Sequence, residues 1–252
     1  MRLYVEARIR AGTGTVWDRS QSPELHQRWD LRFGEIELLP GEPGAPRRFR
    51  YATRVLPGLT VSGTGISAGE QNRPGGTRTS ALRFASAHPL SFIEEGRGYW
   101  RYVPDGDALR FLTGYDYRPR WGRFGRVADR LVLRPLMGWA TAWSFDRLRL
   151  WCEHGITPER SMRYALAEVS VRLAAVLGTT SLAFTGTLPG PAAAHAVPAV
   201  LAAVALASLL PPSRRTPAAR RCLRRPPARS AGTADRASTA APTALLTALE
   251  KP

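Results

Sequence analysis

Lysine is almost missing from this chain. Lys251 is the only one in 252 residues, so arginine supplies nearly all of the 36 basic side chains that outnumber 20 acidic ones, for a net charge of +16. Cysteine is nearly as scarce. Cys152 and Cys222 stand alone in unlike surroundings, which excludes a disulfide framework or a cysteine metal cluster and fits a reducing compartment. The four histidines, at 26, 88, 154 and 195, lack the partner spacing of a zinc site. No G-x-S-x-G, P-loop or dinucleotide fingerprint is present, and Gly63-Thr64-Gly65 is only a G-x-G inside a strand pattern. No metal or cofactor is therefore expected. The opening MRLYVEARIR has no apolar core of a signal peptide, so none is expected to be cleaved there.

What the chain does contain, up to about Thr157, is enough for a real core. Leu3, Val5, Ala7 and Ile9 alternate with polar partners and predict a half-buried strand. Two short helices follow, one carrying Val16 and Trp17 with Thr13 or Thr15 as its cap, the other opened by Ser22-Pro23 and running to about Trp29. Strand patterns then recur at 33–39, 47–56, 59–67, 78–86, 91–103 and 109–118, separated by Gly/Pro turns, with Asp105 and Asp107 as turn formers. Strands joined by short turns pair antiparallel.

Gly125–Trp151 has a different period. Leu131, Gly138, Thr141, Phe145, Leu148 and Cys152 recur at three- and four-residue steps, predicting one long helix with a broad apolar face. Pro135 removes a backbone donor and should bend or restart that helix near Arg134. Met137, Thr141 and Phe145 are expected to face the sheet, with Trp139 and Trp143 nearer the outside or a cavity mouth. A single long helix on a curved antiparallel sheet is an α+β domain with a cavity wherever the helix cannot fill the concavity.

After Pro158 the chemistry changes. Residues 173–213 hold no charged side chain, and Gly186, Pro189, Gly190 and Pro191 break the run into two arms. The second, Ala192–Leu210, is about a bilayer's width; the first needs Val169 and its neighbours to reach that length. Glu168 and Arg172 are four apart and can pair on one helix face. A hydrophobic hairpin, 158–212, is thus expected as a membrane anchor through 164–212; a soluble hairpin completing a core is the alternative. Arginines flank both ends and none lies in the connection, which predicts both ends on the cytoplasmic side of the cell membrane. Residues 213–252, rich in Arg, Pro, Ala and Thr, read as a disordered tail, with a helical turn or two at Thr243–Leu249. Arg214–Arg229 has no interleaved aromatics, so anionic lipid headgroups are the nearer partner and nucleic acid the remoter one.

The strand–helix–helix–sheet–long-helix order resembles the START-like, or SRPBCC, helix-grip superfamily over about residues 1–155. The stretches "YWRY", "LRFLTGYDYRPRWG" and "DRLVLRPLMGWATAWSFDRLRLW" are similar to bacterial members described as polyketide cyclase/dehydrase-like. The resemblance implies a curved antiparallel sheet wrapped on a long C-terminal helix around a hydrophobic cavity, here followed by two hydrophobic helices. It carries no catalytic motif onto particular residues. Candidates for the cavity wall are Tyr99, Arg101, Phe111, Tyr115, Tyr117, Met137, Thr141 and Phe145. The tyrosines offer hydroxyls within an apolar pocket, or simply pack. Arg83 and Arg101 need an anionic partner if they point inward and are solvated if outward. The expected function is a membrane-held domain that binds a hydrophobic small molecule or lipid. The alternative is a cyclase/dehydrase-like enzyme using Tyr99, Arg101, Tyr115 and Thr141 to orient an apolar or aromatic substrate and move protons.

Overall fold

The structure is a computed structural model, which describes residues 3–42, 44–184 and 195–226. These form two compact units: residues up to Pro158 together with the stretch from Ala218, and Glu159–Pro217.

In the first unit, β1 (Leu3–Ile9) leads into α1 (Thr13–Gln21) and α2 (Pro23–Trp29). Six strands follow: β2 (Glu35–Leu38), β3 (Arg48–Leu56), β4 (Leu59–Asn72), β5 (Arg78–Ala85), β6 (Ile93–Asp105) and β7 (Ala108–Pro119). All seven form one antiparallel sheet in the order β1-β7-β6-β5-β4-β3-β2, with the first strand closed against the last. Pro23 opens α2 as expected, but Ser22 makes no capping bond with its side chain, and Gly12 precedes α1 where a threonine cap was expected.

The long helix has three parts: α3 (Gly122–Ala128), a π-helical turn (Asp129–Leu133) and α4 (Arg134–His154). The irregularity falls where Pro135 predicts it. Proline has no N–H to give back and its ring crowds the preceding turn, so the helix widens before it and restarts with Pro135 in its first turn. Gly125 seats α3, since a Cβ there would lie 1.6 Å from the Arg120 carbonyl oxygen.

The core lies between the concave sheet face and α4. Phe145 stacks on Phe111 at 4.5 Å, and Trp29 from α2 meets both edge-on. Truncating Phe145, which is fully buried, would cost about 3–5 kcal/mol. Tyr102 accepts α1 through hydrogen bonds to Ser20 (2.6 Å) and Gln21 (2.8 Å). Arg147 reaches from α4 to donate to the Arg28 and Trp29 carbonyls that end α2. Met137 is half-buried, Thr141 and Phe145 are buried and Trp139 is exposed, as the two-stripe reading expects, but Trp143 departs from it: it is half-buried against the core with Arg147 over its ring.

The sequence places a disordered tail from 213; the structure corrects this up to residue 226. Ala218, Ala219 and Cys222 are buried, a 3₁₀ turn spans Ala219–Arg221, and Leu223 pairs with Glu6 on the free edge of β1. The cause is Asp146 of α4, whose fully buried carboxylate accepts from the Ala218 N–H and from Arg221, both at 2.8 Å, and from Arg149. Composition counts apolar area and misses a segment held by a buried charge. Arg221 is therefore half-buried and committed to Asp146, while Arg214, Arg215, Arg220, Arg224 and Arg225 are exposed.

In the second unit, α5 (Pro158–Phe184) and α6 (Ala196–Leu209) are two apolar helices. The predicted Glu168–Arg172 pair forms, and Arg172 also donates to the Ala207 and Leu210 carbonyls, capping the end of α6 and tying the arms together. α5 is long and apolar enough to cross a membrane, and the 18-residue window that qualifies it holds no buried residue. The described part of α6 spans about 21 Å, short of the roughly 30 Å of a bilayer core. The Gly186–Pro191 break and the Thr243–Leu249 turn lie outside the described residues.

Candidate ligand cavity

A cavity of about 590 Å³ opens between the sheet and the long helix, within the range of small-molecule sites. Its walls are apolar: Val61, Leu82, Phe84 and Trp100 from the strands, and Leu133, Met137 and Ala140 from the helix. Gly98 keeps the floor open, since a Cβ there would meet that of Tyr115 at 2.8 Å. Leu90, Trp121 and Leu136 line the cavity while being largely exposed, so they mark its mouth. A second cavity of about 400 Å³ lies between α1, α2 and β2–β5, and Leu82 and Trp100 line both. The larger one has the more continuous apolar wall.

One polar cluster interrupts that wall. Arg32, in the loop after α2, lines the cavity and makes a two-pronged ion pair with fully buried Asp30, at 2.9 and 2.6 Å. His26 bonds the same carboxylate at 3.1 Å. The Arg32 guanidinium also lies over the Tyr115 ring, 5.5 Å from its centroid. Thr141 donates to the Met137 carbonyl (2.7 Å), so the Tyr115 O–H is the donor to Thr141 Oγ1 (3.1 Å). Donation thus runs in one direction, from tyrosine to threonine to backbone. Burial alone would push Asp30 up, but the Arg32 charge and hydrogen bonds outweigh it and hold the carboxyl well below the usual range. Burial likewise works against the Arg32 charge, and Asp30 reverses it. Burial drives His26 down, with Asp30 offsetting part of the effect, and raises Tyr115. The rim of the cavity therefore carries a compensated pair, without net charge.

Of the residues the sequence nominates, Tyr99, Tyr115 and Met137 line this cavity and Thr141 is bonded to Tyr115. Phe111 and Phe145 are buried in the aromatic core beside it. Tyr117 turns to Asp129, which Arg134 also holds, and props the π turn. Arg101 departs from the expectation of a cavity residue. Strand alternation sends it, with Tyr99, to the face opposite Trp100 and Tyr102, where it bonds Thr79 (3.3 Å) and sits over the Tyr99 ring. β6 borders the cavity at Tyr99, but that side chain packs with Tyr4, Ala81 and Leu112 on the far face. Arg83 likewise lies away from the cavity, beside Glu95 and Asp116. Sequence reasoning passed over Asp30, Arg32, Tyr51 and Trp121. The signal for the first two was Trp29-Asp30-Leu31-Arg32-Phe33, an acid and a base two apart amid large apolar residues.

No family model matches the chain. A curated relative, the uncharacterized membrane protein YndG of Bacillus subtilis (strain 168), is 47% identical over 168 residues, covering 66% of this chain and 63% of its own length. The chain thus spans somewhat less than two thirds of that relative. Among solved structures, a protein of Thermus thermophilus aligns over 59% of this chain and 94% of its own at 20% identity and a TM-score of 0.45. A STAR-related lipid transfer protein fragment from Xanthomonas axonopodis gives 59%, 83%, 18% and 0.45. The Zhui aromatase/cyclase of Streptomyces sp. R1128 gives 61%, 98%, 15% and 0.41. With one strand, two short helices, six antiparallel strands and a long helix held across their concave face, the first unit has the helix-grip fold of START/SRPBCC proteins.

Proposed function

We propose that this protein is a membrane-held binder of a hydrophobic small molecule or lipid. The observation that carries this is the 590 Å³ apolar cavity between the sheet and the long helix. Such a wall gives up water readily and rewards apolar area at about 25 cal/mol per Å². The compensated Asp30–Arg32 pair favours an uncharged ligand, because an added carboxylate would find no uncompensated cation at the cavity edge.

Membrane attachment is supported by the length and exposure of α5 and by the name of the Bacillus relative. The chain leaves the first unit at Pro158 and re-enters it at Ala218, which supports an even number of crossings, and the flanking arginines favour the cytoplasmic side. The cyclase-like reading loses Tyr99 and Arg101, which point away from the cavity.

The test is to purify the full chain in mild detergent, extract it with organic solvent and analyse the extract by mass spectrometry. A stoichiometric, neutral, largely apolar compound is expected from the wild type. It should be lost from Ala140→Trp, which fills the cavity, while the circular dichroism is unchanged. A wild type that yields no bound compound, and binds none from a panel of neutral lipids, would overturn the proposal.

A further inference from the structure

The segment between β7 and α4 presents a face that nothing described covers. Phe124, Val127 and Leu131 are 58–71% exposed and fall at i, i+3 and i+7, the spacing of one helix face. Each is preceded by an exposed arginine, Arg123, Arg126 or Arg130, so a cationic stripe runs about 100° around the helix from the apolar one. The only acid between Asp116 and Asp146 is Asp129, which is buried and bound to Tyr117 and Arg134. The exposed surface of this segment is therefore apolar and positive, with no negative side chain. It is also continuous with the cavity mouth, since exposed Trp121 at its start lines the cavity, as does exposed Leu136 in the first turn of α4 beyond its end.

We infer that this face docks on an anionic lipid bilayer and opens the cavity toward it. The charge pattern selects this occupant. A second copy of the chain would bring the same three arginines against their own kind, whereas anionic headgroups match them while the apolar stripe sinks into the acyl boundary and the arginine stems lie along it. A ligand would then pass between bilayer and cavity along Leu136 and Trp121 without crossing water. This rests on the proposed membrane-held binder, and it adds a second contact with the membrane, separate from α5 and from the arginines after residue 213.

The test uses the full chain in vesicles of phosphatidylcholine alone or with phosphatidylglycerol, with Cys152 and Cys222 replaced by Ser. An environment-sensitive fluorophore is placed at Phe124→Cys, and in a control at Glu42→Cys. With phosphatidylglycerol, the probe at 124 should shift to the blue and be quenched by lipid-borne quenchers, whereas the probe at 42 should not. Replacing Arg123, Arg126 and Arg130 by Gln together should abolish the effect, while the chain still floats with the vesicles. A chain that floats yet leaves position 124 in water overturns the docking face alone; a chain that does not float overturns the membrane-held reading with it. Burial of position 124 in detergent, with the chain running as a dimer, would assign the face to a second copy and overturn the inference.

Discussion

Asp30 keeps its charge without exposure to water because Arg32 and His26 surround it. This has a consequence for pH. Burial lowers the pKa of His26 from its ordinary 6.5, so the unfolded chain takes up the proton first, and the stability tied to neutral His26 is present above about pH 6.5 and lost on acidification below it. Asp30 is also shifted down, from 3.8, and its contribution fades at still lower pH. Thermal melts should therefore show Tm falling from about pH 6.5 downward, with the drop between 6.5 and 5 flattened in His26→Phe, which keeps a ring stacked on Trp29 and edge-on to Trp100. A wild-type Tm that holds steady from pH 7 to 5 would contradict this. Asp30→Asn, leaving Arg32 buried and unmatched, should cost about 3–5 kcal/mol in denaturant unfolding. At this scale, Met137 was legible from helical spacing. Tyr99 and Arg101 were not, because β6 carries large side chains on both faces and only the pairing of Gly98 with Tyr115 says which face is concave.

Among the elements, the long helix was the most legible. Its length, its break at Pro135 and its sheet-facing stripe follow from local chemistry, since a proline and a 3.6-residue period act within a turn or two. The returning segment was the least legible. Nothing in Ala218–Leu223 asks for order until Asp146, far away in sequence, is buried beneath it. Asp146→Asn should loosen that segment: amide exchange at 218–223 should speed up by tenfold or more, about 1.4 kcal/mol of local opening energy, while β6 and β7 keep their protection. Uniform loss of protection throughout the sheet would mean that the segment is part of the global folding unit rather than a strap on it.

For the whole molecule, the decisive fact is that the hydrophobic arms interrupt a folded unit rather than follow it. Cysteines introduced at Glu42 and Arg224 should react with a membrane-impermeant maleimide from the same face of sealed vesicles; labelling from opposite faces would contradict an even number of crossings. By itself, the sequence determined what is read over a few residues: antiparallel strands from alternation and turns, the long helix from its period, the apolar arms from their length, and the positive excess from arginine. The tertiary structure decided what depends on residues distant in the chain. It placed Arg32 at the cavity, turned Arg101 to the far face and seated the stretch from Ala218 on Asp146 and β1. The reason is physical. Propensity and patterning act within a turn or a strand, whereas a buried charge selects its partner only after the fold has removed the water around it.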